Sequence, residues 1–506
     1  MPGPTVGDLI RKRRLARGDA HKTAIAFGEE RLTYGELDER TDHIAHGLVA
    51  AGFTKGERAA ILAHNCIEYL EAFFAVAKAG GVNVPINYLL RANEVAYHLD
   101  DSGATWTFVQ DRFLELMHPI AAERAGHRLV VFGAAGDGEI AFADLRDGAE
   151  GELPQVVPDD IALLQYTSGT TGRPKGATHT QRGIVLNAAM QALDIPLRED
   201  DVYLAIPALC WAAGLHSIFS PELFRGASIV LHPSSGFDPD NVCALVARER
   251  VTTIVMVPVV LRAVLDSGAF ERHDVSSLRL IIVGAEPVPV ELLDRLDQAL
   301  PGVQVVQGYG QSEFPTIMAT LDPRYAREKA GSTGKALSLS ELRVVDDEGL
   351  DVPAGEHGEI LCRAACTMLG YWNKPEETAT AFLGDWLRTG DRGWLDEDGF
   401  LYIAGRSKDM IISGGLNVYP AEIERVLAEH PAVAECAVVG TEDARLGEVG
   451  RAFVVTREQA TVSEAELEAY CREQLAGYKV PRHWVLRTEP LPRTASGKAQ
   501  KFNLTT

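Results

Sequence analysis

Four short stretches carry residue types suited to phosphate and nucleotide chemistry. The first is YTSGTTGRPKG, residues 166–176, with three glycines, four Ser or Thr residues, an Arg and a Lys in eleven positions. Glycine lets successive backbone N–H groups turn toward one point and approach an anion closely, the hydroxyls add donors, and Lys175 adds charge. That composition fits a phosphate cradle; a flexible polar loop is the plainer alternative. A Walker A loop needs Ser or Thr after its Lys, whereas Gly176 follows Lys175 here, which disfavours a P-loop NTPase.

The second stretch is GYGQSEF, 308–314, where two glycines flank an aromatic suited to packing beside a flat ring and Glu313 offers a carboxylate for Mg²⁺; an ordinary turn would look similar. The third, WLRTGDRGWLDEDGFLYIAGRSKD (386–409), supplies Asp391, able to accept both hydrogen bonds of a ribose diol, and Arg406. The fourth, LPRTASGKAQK (491–501), places Lys498 on a glycine-containing turn, either as a solvated basic tail or as a charge that a mobile domain delivers to a distant site.

These residues need a frame. Up to about residue 400, β-branched runs such as RAAILA (58–63), VNVPI (82–86), IALLQY (161–166), TTIVMV (252–257) and LRLIIVG (278–284) alternate with helical patterns such as IEYLEAFFAVAKAG (67–80). This alternation predicts α/β layers built on largely buried, parallel strands. The last hundred residues predict a compact α+β unit: a helix in AEIERVLAEH, strands in AECAVVG and AFVVT, and a second helix opened by a Ser463/Glu466 capping box and closed at Gly477. The expected division is 1–406 and 407–506, with Gly405 and the Gly414–Gly415 pair admitting a hinge between them.

The chain has 506 residues and a formal net charge of −22, which argues against general nucleic-acid or anionic-membrane binding, so an anionic ligand must meet a local basic site. No apolar run reaches the ~18–20 residues of a membrane span. The N-terminus lacks the pattern of a secretory signal. Seven scattered cysteines suggest reduced thiols and a cytoplasmic setting, and the Cys362/Cys366 pair has no second pair to complete a zinc site.

In this order, the four stretches resemble the AMP-forming acyl-CoA synthetases of the adenylate-forming superfamily, which also includes peptide-synthetase adenylation domains and luciferases. The resemblance runs from LTYGELDERTDHIAHGL, near residue 32, to SGKAQK, near residue 501. It implies a large N-terminal domain of layered sheets and helices with a small mobile α+β domain. It also implies a two-step reaction: a carboxylate attacks the α-phosphate of MgATP with release of pyrophosphate, and a thiol then takes the acyl group. ATP, Mg²⁺ and coenzyme A are the implied cofactors. By the same resemblance Thr167, Ser168, Gly169, Thr170, Thr171, Gly172 and Lys175 grip pyrophosphate. Gly284, Ala285, Glu286 and Pro287 lie along the adenine, Tyr309 between Gly308 and Gly310 stacks on it, and Asp391 and Arg406 bind ribose. Ser312 stands beside the α-phosphate where relatives usually have Thr, Glu313 matches the Mg²⁺ carboxylate, and Lys498 stabilises charge on the α-phosphate. Lys408 matches a hinge about which the small domain turns to present Gly414 and Gly415 to the thiol tunnel.

Two departures stand out. Aligned on Gly214, PALCWAAGL puts Trp211 where relatives often carry a gating His, either as a hydrophobic wall or as a shift in the balance between half-reactions; Gln181 similarly replaces a frequent His. With Ala212, Ala213, Gly214, Val257 and Val306, Trp211 suggests an apolar acyl pocket for an aryl, medium-chain or bulky polycyclic acid. Residues 472–501 hold seven Lys/Arg (Arg472, Lys479, Arg482, Arg487, Arg493, Lys498, Lys501) against Glu473 and Glu489, a local +5 that would either face CoA phosphates or be ordinary solvated surface. A carrier-protein phosphopantetheine is the alternative acceptor. The resemblance also admits a homodimer, for which the residues give no signal.

Overall fold

The computed structural model describes residues 3–146, 151–167, 173–234, 236–284, 288, 290–406, 409–413, 416–443, 445–457, 460–475, 477–493 and 499–504. Two large sheets build the N-terminal part. In the seven-stranded sheet the order is Ile140–Ala141, Arg128–Phe132, Trp106–Gln110, Arg58–Leu62, Val82–Pro85, Ile161–Tyr166, Gly176–Thr180. All its neighbours are parallel except the last pair, where Tyr166 lies opposite Gly176. The glycine-rich stretch is therefore the connection of a hairpin at the edge of an otherwise parallel sheet, which aims both its stems the same way.

The nine-stranded sheet runs Lys335–Ala336, Thr316–Leu321, Gln304–Gln311, Leu280–Gly284, Thr253–Met256, Val202–Ala205, Ser228–Leu231, Thr23–Phe27, Glu30–Thr33. Its interior is parallel and its edges antiparallel. Buried runs such as Leu280, Ile281, Ile282 and Val283 are what a strand covered on both faces requires. Between the sheets lies a core including Phe73, Phe74, Phe108, Tyr203 and Phe219. Helix Ile67–Lys78 contributes to it from an almost wholly buried sequence.

The expectation of alternating α/β up to residue 400 fails between 340 and 406. There the strands Ser340–Val345, Gly358–Ala364, Phe382–Leu383, Trp386–Leu395 and Leu401–Arg406 form an antiparallel sheet. The missed signal is the DEDG turn at 396–399, where Gly399 N–H bonds Asp396 O at 2.9 Å and Asp396 N–H bonds Phe400 O at 3.0 Å. That hairpin puts Asp391 opposite Arg406 in register.

The C-terminal part is α+β as expected. Helices Pro420–Ala428 and Glu464–Gln474 pack with a five-stranded sheet in which Gly447–Thr456 lies between Val433–Asp443 and His483–Arg487. The Ser463/Glu466 capping box forms. The helix stops at Gln474 rather than Gly477 because Leu475 leaves helical geometry and turns its side chain into the core with Val480. The two parts meet through stacked rings: Trp394 lies 4.5 Å from His357, and His357 5.4 Å from Tyr419 at the start of helix Pro420–Ala428. All seven cysteines are free, six of them buried. Among the described residues no helix is long and apolar enough to cross a membrane.

Candidate active site

A backbone hydrogen bond ties together the two stems of the glycine-rich connection. Thr167 N–H donates to Lys175 O at 3.0 Å, closing the hairpin, while Ser168, Gly169, Thr170, Thr171 and Gly172 lie outside the described residues. Lys175 places its ammonium 4.6 Å from the centre of the Tyr371 ring, within cation–π range. The Tyr371 hydroxyl donates to Glu313 Oε1 at 2.7 Å, so this one ring joins the first stretch to the second. Burial, reinforced by the Glu313 carboxylate, holds the Tyr371 phenol well above its usual pKa, and it stays a donor.

The second stretch begins where Gly284 and Gly308 lie side by side in parallel strands. A bulge between Tyr309 and Gly310 turns the chain, and a Cβ on Gly310 would overlap the Thr316 carbonyl, so only glycine fits there. Tyr309 reaches across to Asp391, donating to Oδ2 at 2.6 Å over 82 residues of sequence. Burial, then the Asp391 charge, pushes this phenol far up. The second and third stretches are thereby assembled into one site. Ser312 is held from behind: its carbonyl accepts a hydrogen bond from His179 Nε2 at 2.8 Å. Burial depresses the His179 pKa to about 4, so the ring is neutral at pH 7, and donation from Nε2 fixes its tautomer. Gln181 is also structural: its Oε1 accepts from Val6 N–H at 2.9 Å.

Near this strand end Gln307 Nε2, Gln311 Nε2 and Thr316 Oγ1 are buried with no hydrogen-bond partner among the described residues. Leaving such groups unpaired costs about 1–3 kcal/mol each, which a polar ligand would offset. Magnesium takes oxygen ligands and is commonly held by one or two carboxylates plus phosphates and water. Glu313, linked through Tyr371 to Lys175, fits that demand. No cage of three or more His, Cys, Asp or Glu side chains exists among the described residues.

The remaining expected residues divide. Ala285, Glu286, Pro287, Lys408, Gly414, Gly415 and Lys498 lie outside the described residues, and of Arg406 only the backbone, paired with Asp391, is described. In the segment expected to line the acyl pocket, Trp211 is half-buried at the start of the short helix Ala212–Leu215, and Ala213 is exposed. Gly214 is buried where a Cβ would overlap the Ala208 carbonyl. Val257 is half-buried ahead of helix Pro258–Ser267, whereas Val306 is 1% exposed and belongs to the core. Cys210 O accepts from Gln165 Nε2 at 3.4 Å, tying this segment to the strand that leads into the glycine-rich connection. Nearby His216 is buried with neither ring nitrogen partnered among the described residues, and burial lowers its pKa to about 3.

The basic stretch looks different in the fold than in the sequence. Arg472, Lys479, Arg487, Arg493 and Lys501 each pair with an acid: Glu468, Glu422, Glu489, Glu435 and Glu424 respectively. Of these five acids only Glu489 lies within residues 472–501; the other four come from outside the stretch and offset its local excess of +5. Reading the sequence missed Tyr371, for which LGYWNKPEE offers no spacing signal; its role comes entirely from tertiary contact.

The stem of a glycine-rich hairpin, a glycine–aromatic strand end and the Asp391 carboxylate are thus joined through Tyr371 and Tyr309 into one site, an arrangement suited to a nucleotide. The family model described as AMP-binding enzyme matches residues 12–372, and that described as AMP-binding enzyme C-terminal domain matches residues 422–498. Feruloyl-CoA synthase of an Amycolatopsis species is 41% identical over 96% of this chain and 96% of its own length. Indoleacetate–CoA ligase of Aromatoleum aromaticum is 39% identical over 95% of this chain and 94% of its own. Among solved structures, the anthranilate CoA ligase AuaEII in complex with anthranoyl-AMP superposes with a TM-score of 0.91 at 34% identity, covering 100% of this chain and 97% of that one. The o-succinylbenzoate CoA synthetase of Bacillus subtilis with ATP and magnesium gives 0.85 at 33%, covering 100% of both chains. The chain belongs to the AMP-binding enzyme family. It is an AMP-forming acid–thiol ligase that uses ATP, Mg²⁺ and CoA: a carboxylate is converted to an acyl-adenylate with release of pyrophosphate, and the acyl group passes to the CoA thiol with release of AMP.

Proposed function

We propose that the acid is an apolar aryl carboxylic acid and that the acceptor is free CoA in the cytoplasm. The observation that carries this reading is the uncharged segment 210–214, Trp211 with small neighbours, fastened through Cys210 to Gln165 beside the glycine-rich connection. A flat apolar wall next to the phosphate site suits a planar acid. The relatives named for feruloyl, indoleacetate and anthranilate substrates support it.

The residue roles belong to the same proposal. Thr167, the loop 168–172 and Lys175 hold the β- and γ-phosphates. Gly284, residues 285–287, Gly308, Tyr309 and Gly310 frame the adenine, and Asp391 and Arg406 take the ribose hydroxyls. The Tyr309–Asp391 hydrogen bond supports placing base and sugar side by side. Ser312 faces the α-phosphate. Glu313 would hold the magnesium, which would supply positive charge to the phosphates. The carboxylate oxygen of the acid attacks the α-phosphorus, and the electrons of the breaking bond leave on pyrophosphate. Lys498 meets the charge that builds at the α-phosphate. Residues 1–406 and 407–506 then reorient about Lys408, so that Gly414 and Gly415 border the thiol's path. The Asp391/Arg406 pairing on the N-terminal side of that boundary supports its position.

Pyrophosphate release from MgATP over a panel of aryl, fatty and polycyclic acids, each with and without CoA, tests the reading. Aryl-acid-dependent release with CoA-dependent thioester supports it. Adenylation without thioester points to a carrier-protein phosphopantetheine, and preference for a fatty or polycyclic acid overturns the aryl assignment. Trp211→His is expected to change relative kcat/KM among acids by about tenfold, the size of a modest pocket change. Unaltered preference and thioester rate would remove Trp211 from the pocket.

A further inference from the structure

Asp101 belongs to none of the four stretches, yet it touches the supports of the glycine-rich connection on both sides. It lies near the end of helix Ala92–Ser102, and its side chain is 12% exposed. Asp101 Oδ2 accepts from the Tyr166 hydroxyl at 2.8 Å, and Tyr166 is the last residue of the strand entering the connection. On the exit side the Tyr97 hydroxyl lies 2.8 Å from Pro174 O and 3.3 Å from Asp101 Oδ1. A phenol has one proton, so Tyr97 donates to the nearer carbonyl and keeps Asp101 as an alternative acceptor. Arg173 sits 5.3 Å over the Tyr97 ring, which secures the exit stem further. Asp101 Oδ1 is also ion-paired with Lys374.

Lys374 extends the device. Its segment runs beside the strand Gly176–Thr180, with Thr178 N–H bonded to Gly370 O at 2.9 Å and Trp372 N–H to Gly176 O at 2.8 Å. The same segment carries Tyr371, which holds Glu313. A bare carboxylate next to a polyanion site would repel the ligand; paired with Lys374 it offers fixed acceptors at little net charge.

We propose that Asp101 is a positioning residue for adenylation: by fixing Tyr166 on the entry side and Lys374, whose segment is bonded to the exit strand, it holds the stems from which the connection takes the pyrophosphate part of ATP, without itself touching the nucleotide. The inference rests on the reading of that connection as the pyrophosphate-gripping loop. Tyr166→Phe deletes the entry-side anchor, and Asp101→Asn removes the charge that holds Lys374 and leaves Tyr166 only a neutral acceptor.

The test uses the full chain. Acid-dependent pyrophosphate release is measured against MgATP and against acid, and thioester formation is measured from supplied acyl-adenylate and CoA. The proteins are wild type, Asp101→Asn, Tyr166→Phe and, as the reference for the loop itself, Lys175→Ala. Asp101→Asn is expected to raise KM for ATP about tenfold and Tyr166→Phe about threefold, with KM for acid and the thioester step within about twofold of wild type. A merely structural role would slow both half-reactions and raise both KM values together, and that result overturns the proposal. If Lys175→Ala impairs ATP use while Asp101→Asn and Tyr166→Phe do not, the positioning role fails and the loop reading stands. If Lys175→Ala also leaves ATP use unchanged, the loop reading itself fails. Should Asp101→Asn not fold, the KM split in Tyr166→Phe decides.

Discussion

Lys498→Ala is expected to lower acid-dependent pyrophosphate release by roughly three powers of ten while leaving thioester formation from supplied acyl-adenylate near its wild-type rate. A cation at the α-phosphate acts on charge that accumulates only as the carboxylate attacks, so its loss falls on kcat for adenylation more than on KM for ATP. In the proposed mechanism the thioester step forms the carbon–sulfur bond and breaks the bond from acyl carbon to phosphate oxygen, with AMP leaving, and on that reading it does not call on Lys498. The two half-reactions are measured separately, by pyrophosphate release and by thioester yield. Equal loss in both would contradict the division of labour between Lys498 and the rest of the site.

Glu313→Gln is expected to cost about 10²-fold in adenylation at ordinary Mg²⁺ and to recover part of that loss at high Mg²⁺. Glutamine keeps the shape and can still accept from the Tyr371 hydroxyl, which now reaches Glu313 Oε1 at 2.7 Å, so the substitution isolates charge from packing. Removing the charge weakens the hold on the metal without dismantling the Tyr371 and Lys175 contact. Titrating MgCl₂ into wild type and variant at fixed ATP checks this. A variant whose metal dependence matches wild type would move the magnesium role away from Glu313.

The legible parts of this protein were those in which a local pattern and a local physical demand coincide. Leu280, Ile281, Ile282 and Val283 announce a strand covered on both faces, and Ser463 and Glu466 announce a helix start. What sequence could not show is convergence. Tyr371, Asp101 and His179 act through partners 58, 65 and 133 residues away, and nothing in their own neighbourhoods marks them. For the same reason the local charge of residues 472–501 does not show in sequence that Glu422, Glu424 and Glu435, all outside that stretch, pair with Lys479, Lys501 and Arg493. The antiparallel sheet between 340 and 406 was hidden by reading its third hairpin only as a chemical motif.

The pairing of strand Thr23–Phe27 with Ser228–Leu231 bears on how the chain is made. During synthesis Thr23–Phe27 leaves the ribosome with only Glu30–Thr33 beside it, and a two-stranded ribbon is at best marginal in water. Its parallel partner follows roughly 200 residues later, a wait of about 10–40 s at ordinary elongation rates. Through that interval Ala24 and Ile25, wholly buried in the finished protein, are presented to the cell as apolar surface. Slowing elongation lengthens the exposure, so yield of native enzyme should respond to holdase chaperones and to codon choice between residues 34 and 227 more than to changes near the C-terminus.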